Sequence, residues 1–114
     1  MQRRRLSPAY QASRLRAFGK RSGPAWLKAR IWDWEFSTGK WDHLEAGIEP
    51  NQFYEVVERS LGGGRLLDLA CGTGVVRCTV HSEHLRRYVG LDISRSAIAR
   101  ARRRTAHLPP LPEG

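Results

Sequence analysis

The stretch RLLDLACGTGVV, Arg65 to Val76, constrains this chain more than any other. An apolar run of strand length carries one acid, Asp68, and passes at once into a loop of small residues, Ala70 to Gly74. Leu66, Leu67 and Leu69 do not alternate with polar residues, which predicts a strand covered on both faces by helices. The preceding LGGGR reads as a plain linker. Val75, Val76, Cys78 and Val80 then predict a short helix, a poor one by propensity because valine is β-branched. RRYVGLDIS supplies a second apolar run, Tyr88 to Leu91, closed by Asp92. Ser94 is the N-cap candidate for RSAIARARRR, in which Ala97, Ile98 and Ala101 form a narrow apolar face and Arg102, Arg103 and Arg104 crowd the negative end. Strand, glycine loop, helix, strand, helix is the order of an α/β fold with parallel strands and right-handed crossovers.

Upstream the pattern is helical. Pro24 suits a first helical turn, and AWLKARIWDWEF repeats bulky apolar residues at Leu27, Ile31 and Trp34, with Trp32 and Phe36 alongside. After Pro50, NQFYEVVERSL sets Phe53, Val56, Val57 and Leu61 on one face opposite Glu55, Glu58 and Arg59. Three regions result: a basic, flexible arm over 1–23 with weak helical spacing, a helical segment over 24–61, and a core over 65–114 ending in a rigid HLPPLPEG tail. Trp26, Trp32, Trp34 and Trp41 read as core packing, with an aromatic lid over a ligand as the alternative.

A chain of 114 residues and 40% hydrophobic composition can build one small core. Its net charge of +9 is lopsided: nine bases and no acid precede Asp33, while eleven of each follow from there. The excess therefore belongs to the first thirty-two residues, and the arm's arginines read as a solvated basic tail, with nucleic-acid contact or an organellar transit role as the sharper readings. No apolar run has signal-peptide or membrane-spanning length, so a cytoplasmic protein without membrane contact is expected. Cys71 and Cys78 read as small packing residues, and neither they nor His43, His81, His84 and His107 show metal-site spacing.

In open parallel sheets a ligand sits beyond the carboxyl ends of the strands, where Ala70 to Gly74 lies. Small residues there let a ligand reach the backbone, and glycine opens conformations closed to other residues. Asp92 follows Gly72 by twenty positions, the place from which a carboxylate binds ribose hydroxyls in nucleotide folds of this topology. A dinucleotide site wants a third glycine where Arg77 stands, and a triphosphate loop wants a spacing this chain lacks. Asp68 would repel a phosphate yet suits an amino-acid ammonium. The plainer alternatives are that Asp68 satisfies backbone N–H groups at a strand end and that Asp92 only starts a helix.

LLDLACGTG followed by VGLDIS resembles motif I and the end of the second strand in class I S-adenosylmethionine-dependent methyltransferases. Asp68, Ala70, Gly72 and Gly74 match the motif, with alanine at the position commonly glycine; Asp92 matches the ribose-binding acid and Ile93 the residue that packs on adenine. The resemblance runs from Arg65 to about Arg104, and WDWEFSTGKWDHL is similar to a segment that helps cover the cofactor in some bacterial members. It implies the first β-α-β-α units of a Rossmann-like sheet, S-adenosyl-L-methionine as cofactor, and methyl transfer to a small-molecule acceptor. Such transfer needs alignment and water exclusion more than a covalent intermediate, and no catalytic residue is assigned. Family members build about seven strands, so an incomplete sheet, a truncated chain inactive alone and self-association through an unpaired edge are expected. The alternative function is a small basic nucleic-acid-binding protein.

Overall fold

The computed structural model describes residues 7–45 and 52–114. Residues 1–6 of the expected arm, Pro50 and the side chain of Phe53 lie outside the described residues. Helices α1 (Pro8–Ser22), α2 (Ala25–Ser37) and α3 (Gln52–Leu61) precede strand β1 (Gly64–Leu69), after which come α4 (Val75–Thr79), β2 (Leu85–Leu91) and α5 (Arg95–Thr105). Turns of 3-10 helix at Asp42–Leu44 and Ser82–His84 complete the order. The two strands pair in parallel, with Leu66 beside Tyr88, Asp68 beside Gly90 and Leu69 beside Leu91. The chain is a mixed α/β fold with the N-terminal helices and the incomplete Rossmann-like core that the motif implies.

Two expectations are corrected. Residues 1–23 were read as a flexible arm, whereas Pro8–Ser22 is a helix. Its start has a recognisable signal, since the Ser7 hydroxyl accepts the Tyr10 N–H at 3.2 Å and Pro8 takes the first turn. The apolar face was the missing cue: Tyr10, Leu15 and Phe18 are exposed, and α1 docks instead through buried Gly19. A methyl on Gly19 would stand 2.6 Å from the Ile31 side chain, so the absence of a Cβ lets α1 cross α2.

The sheet was expected to be covered on both faces, but burial alternates along β1. Leu66, Asp68, Tyr88 and Gly90 form the face turned toward Cys71, α4 and α5, while Leu67, Leu69 and Leu91 are exposed on the other. Parallel strands bury both faces only when helices are present on both sides. Among the described residues the strict apolar core is correspondingly small: Cys71, Val80, Leu85 and Ala97.

Helix α2 reaches the core through polar contacts. Asp33 accepts the Ser96 N–H at 2.7 Å and the Ser94 hydroxyl at 3.0 Å, and the Ser94 hydroxyl in turn accepts the Ala97 N–H at 3.1 Å. Both N–H groups are orphans of the first turn of α5; the Ser94 cap satisfies that of Ala97, and an acid from a different helix satisfies that of Ser96 and ties α2 to α5. The Ser96 N–H bond, reinforced by the Ser96 and Ser94 side chains and Arg95 against a smaller opposing effect of burial, holds the Asp33 carboxyl below its ordinary range. Midway along α5, Arg100 donates to Asp42 at 2.7 Å and to Glu45 at 2.6 Å, anchoring the turn that follows α2.

Candidate functional site

Beyond the carboxyl ends of β1 and β2 lies a cavity of about 990 Å³, at the upper end of the roughly 300–1,000 Å³ usual for small-molecule sites. Its floor is Asp68, Ala70 to Thr73 and Leu91 to Ile93; Val75 and Val76 of α4 form one side. The opposite wall is aromatic, with Trp32 and Phe36 from α2, Trp41 and His43 from the turn after it, and Tyr54 from α3.

The loop floor has an unusual backbone. Ala70 takes φ 60°, a left-handed conformation that disfavours residues with a Cβ, and Gly72 and Gly74 take φ 55° and 80°. Cys71 donates its N–H to the Leu91 carbonyl at 2.9 Å, continuing the strand ladder into the loop, and Gly74 turns back onto the Cys71 carbonyl at 3.0 Å. Arg104 of α5 donates to the Thr73 carbonyl at 2.7 Å and to its hydroxyl at 3.1 Å. Ala70 lies between the last strand pair, Leu69 beside Leu91, and the Cys71 bond to Leu91, so the strained residue is held from both sides.

Asp92 joins the two strand ends. One carboxylate oxygen accepts the Gly72 N–H at 2.8 Å and the other accepts the Ser94 N–H at 2.8 Å. Asp68 accepts a 2.7 Å bond from the Tyr88 hydroxyl on the neighbouring strand. Burial, with the Asp68 bond and charge adding to it, pushes the Tyr88 phenol far above its ordinary value, so it remains a donor. The Cys71 thiol is pushed up to about 11, first by burial and then by the charges of Asp68 and Asp92. A thiol so shifted carries little thiolate near neutrality, in keeping with a packing role.

Of the six residues singled out by sequence, Asp68, Ala70, Gly72, Asp92 and Ile93 line this one cavity. Gly74 does not. It closes a second, smaller hollow behind the loop, where a Cβ would lie 3.2 Å from the Ala101 Cβ and 3.4 Å from Thr105. Its part is to let α5 come close, the service that the third glycine performs in dinucleotide folds. Arg77, at the position of that third glycine, is buried and spans from the Ser82 hydroxyl (3.1 Å) to the Pro109 carbonyl (3.3 Å).

The reading of the tryptophans as core is corrected: Trp26 and Trp34 are exposed, whereas Trp32 and Trp41 line the cavity. Trp32 and Trp41 face an open hollow and so stay partly exposed. Sequence reasoning passed over Glu35, the most deeply buried charged residue among those described, and Tyr88, the partner of Asp68. Period alone could have placed Glu35 beside Trp32 on the inner side of α2, three residues on. Nothing in the local sequence marks Tyr88, whose role comes from strand register.

Two carboxylates facing a concave, largely apolar space favour a ligand with hydroxyl or ammonium groups and disfavour phosphate. Among the described residues, no group of His, Cys, Asp and Glu is placed to hold a metal ion, and no helix is long and apolar enough to cross a membrane. No curated protein and no solved structure matches the chain. Residues 60–109, from the end of α3 through both strands and α5, match the model of a methyltransferase domain family.

Proposed function

We propose that the cavity binds S-adenosyl-L-methionine and that the chain serves methyl transfer to a small-molecule acceptor. The observation that carries this reading is the convergence of Asp68, Asp92 and the glycine loop on one cavity with an aromatic wall. The residues fit the cofactor. A carboxylate has about four acceptor positions. Asp92 uses one on Gly72 and one on Ser94, which leaves room for two ribose hydroxyls. Asp68 holds one bond from Tyr88 and keeps acceptor capacity for an ammonium. Ile93 and Leu91, with side chains unburied at the cavity edge, suit the faces of a purine.

When bound, the cofactor supplies an electrophilic sulfonium methyl. The chain's own residues then bind, orient and exclude water: Asp68 and Asp92 set the polar ends, the bare backbone at Gly72 permits close approach, and the indoles of Trp32 and Trp41 keep bulk water from one side. Phe36 bounds the same space, since a Cβ on Gly72 would lie 3.5 Å from its ring.

Calorimetry with S-adenosylhomocysteine tests the assignment. Replacing Asp92 by Asn keeps an oxygen acceptor for one backbone N–H but removes the charge, and is expected to weaken binding by about tenfold, the cost of roughly one charged hydrogen bond. Asp68→Asn is expected to weaken S-adenosylhomocysteine similarly but to leave adenosine, which has no ammonium, unaffected. Wild-type affinity for both ligands in both variants would refute the site.

A further inference from the structure

We propose that Lys20, on α1 and outside the span matched to the family, is a positioning residue that sets Trp32 and Trp41 as the aromatic wall of the cavity through the buried carboxylate of Glu35. As far as ligand affinity is concerned, the proposal rests on the cofactor reading above.

Glu35 is 1% exposed and is filled with donors. Lys20 Nζ contacts both its oxygens at 3.1 and 3.0 Å, Lys40 Nζ lies 3.0 Å from Oε1, and the Trp41 indole N–H donates to Oε2 at 3.1 Å. These bonds from Lys40, Lys20 and Trp41, with the Lys20 charge, outweigh the large opposing effect of burial and keep the carboxyl below its ordinary range. The carboxylate therefore fixes the Trp41 ring by its nitrogen. Lys20 also stands 4.2 Å above the centre of the Trp32 ring and 5.9 Å from that of Trp41, whose rings are 5.7 Å apart. One ammonium thus bonds the carboxylate, stacks on Trp32 and stands at the outer range of a cation–ring interaction with Trp41.

Lys40 shares the carboxylate but is 45% exposed against 19% for Lys20, and its ring contact is with Trp41, at 5.5 Å. Lys20 is the better shielded cation and the one over Trp32. Buried ion pairs seldom add net stability over an apolar replacement, so the arrangement is better explained by the geometry it imposes. A cation over an indole holds the ring by its electron-rich face. Helix α1 thereby supports the site wall without lining the cavity itself.

The test compares wild type with Lys20→Met, Lys20→Arg and, as a charge control, Arg21→Met, whose residue is exposed in the same last turn. Near-ultraviolet circular dichroism, recorded with the exposed Trp26 and Trp34 replaced by Phe, reports the Trp32–Trp41 pair directly. Lys20→Met is expected to lose most of that signal and to weaken S-adenosylhomocysteine about tenfold, the scale of a shielded cation–ring contact. Lys20→Arg, which keeps charge and stacking, is expected to restore both to within about threefold, and Arg21→Met to change neither. Lys20→Gln, which retains a donor for Glu35 but puts no charge over Trp32, should lose the indole signal too, and an unchanged far-ultraviolet spectrum in each variant separates this loss from unfolding.

An unchanged signal in Lys20→Met or Lys20→Gln, or an equal loss in Arg21→Met, overturns the proposal. Should wild type bind no S-adenosylhomocysteine while the signal still depends on Lys20, the cofactor reading fails and the positioning role stands.

Discussion

Gly74 and Ala101 approach so closely that a methyl added to the glycine would stand 3.2 Å from the alanine Cβ. The glycine loop and α5 are thus locked at one point, on the side away from the cavity. This contact separates two reasons for a glycine, backbone conformation and space, because Gly62 also has positive φ, 51°, but nothing within 4 Å of where its Cβ would be.

Gly62→Ala is expected to destabilise the chain by about 1 kcal/mol, the cost of the left-handed conformation alone. Gly74→Ala adds overpacking against α5, for a total of about 2–4 kcal/mol. Urea unfolding followed by far-ultraviolet circular dichroism measures both. Equal losses would mean that the α5 contact yields without cost.

Ala70 offers the reverse experiment. Its φ of 60° is the conformation that glycine tolerates best, yet its side chain is exposed on the cavity floor. Ala70→Gly removes the strain at some cost in unfolded-chain entropy, so a net stabilisation of about 0.5–1 kcal/mol is expected. Ala70→Val should instead destabilise, by about 1–2 kcal/mol, because a β-branched residue is least tolerant of this region. A fall in the urea midpoint of Ala70→Gly would contradict the strain assigned here.

Acid sensitivity follows from Asp33 and Glu35, whose carboxyls are both held below their ordinary values of 3.8 and 4.5. A group with a depressed folded pKa stabilises the fold above its unfolded value and loses that contribution as pH falls through the folded one. The urea midpoint should therefore be flat above about pH 5 and decline progressively below about 4.5. Asp33→Asn should flatten that decline while lowering stability at pH 7, since it removes the acid that caps α5. An acid limb of undiminished slope in Asp33→Asn would assign the sensitivity to other carboxylates.

Much of the core was legible because it depends on neighbours in sequence. β1, the loop, β2 and α5 follow from apolar runs, small residues and the Ser94 cap, although β2 begins at Leu85, three residues before the run that marks it. The cavity residues Asp68, Ala70, Gly72, Asp92 and Ile93 were legible from motif spacing, which the strand register then converts into a shared floor. What remained hidden involves partners far apart in the chain. Asp33 reaches Ser96, 63 residues on, and Tyr88 meets Asp68 across the strand pair, 20 residues away.

By itself the order of residues determined the local elements and the conformational permissions of the loop, because period, capping and the absence of side chains act over a few positions. Only the tertiary structure decided which side chains face the hollow, that α1 is a helix crossing α2 rather than a tail, and that the sheet keeps one apolar face open. Those outcomes depend on which surfaces meet, and a buried carboxylate such as Glu35 exists only where donors from Lys20, Lys40 and Trp41 arrive together.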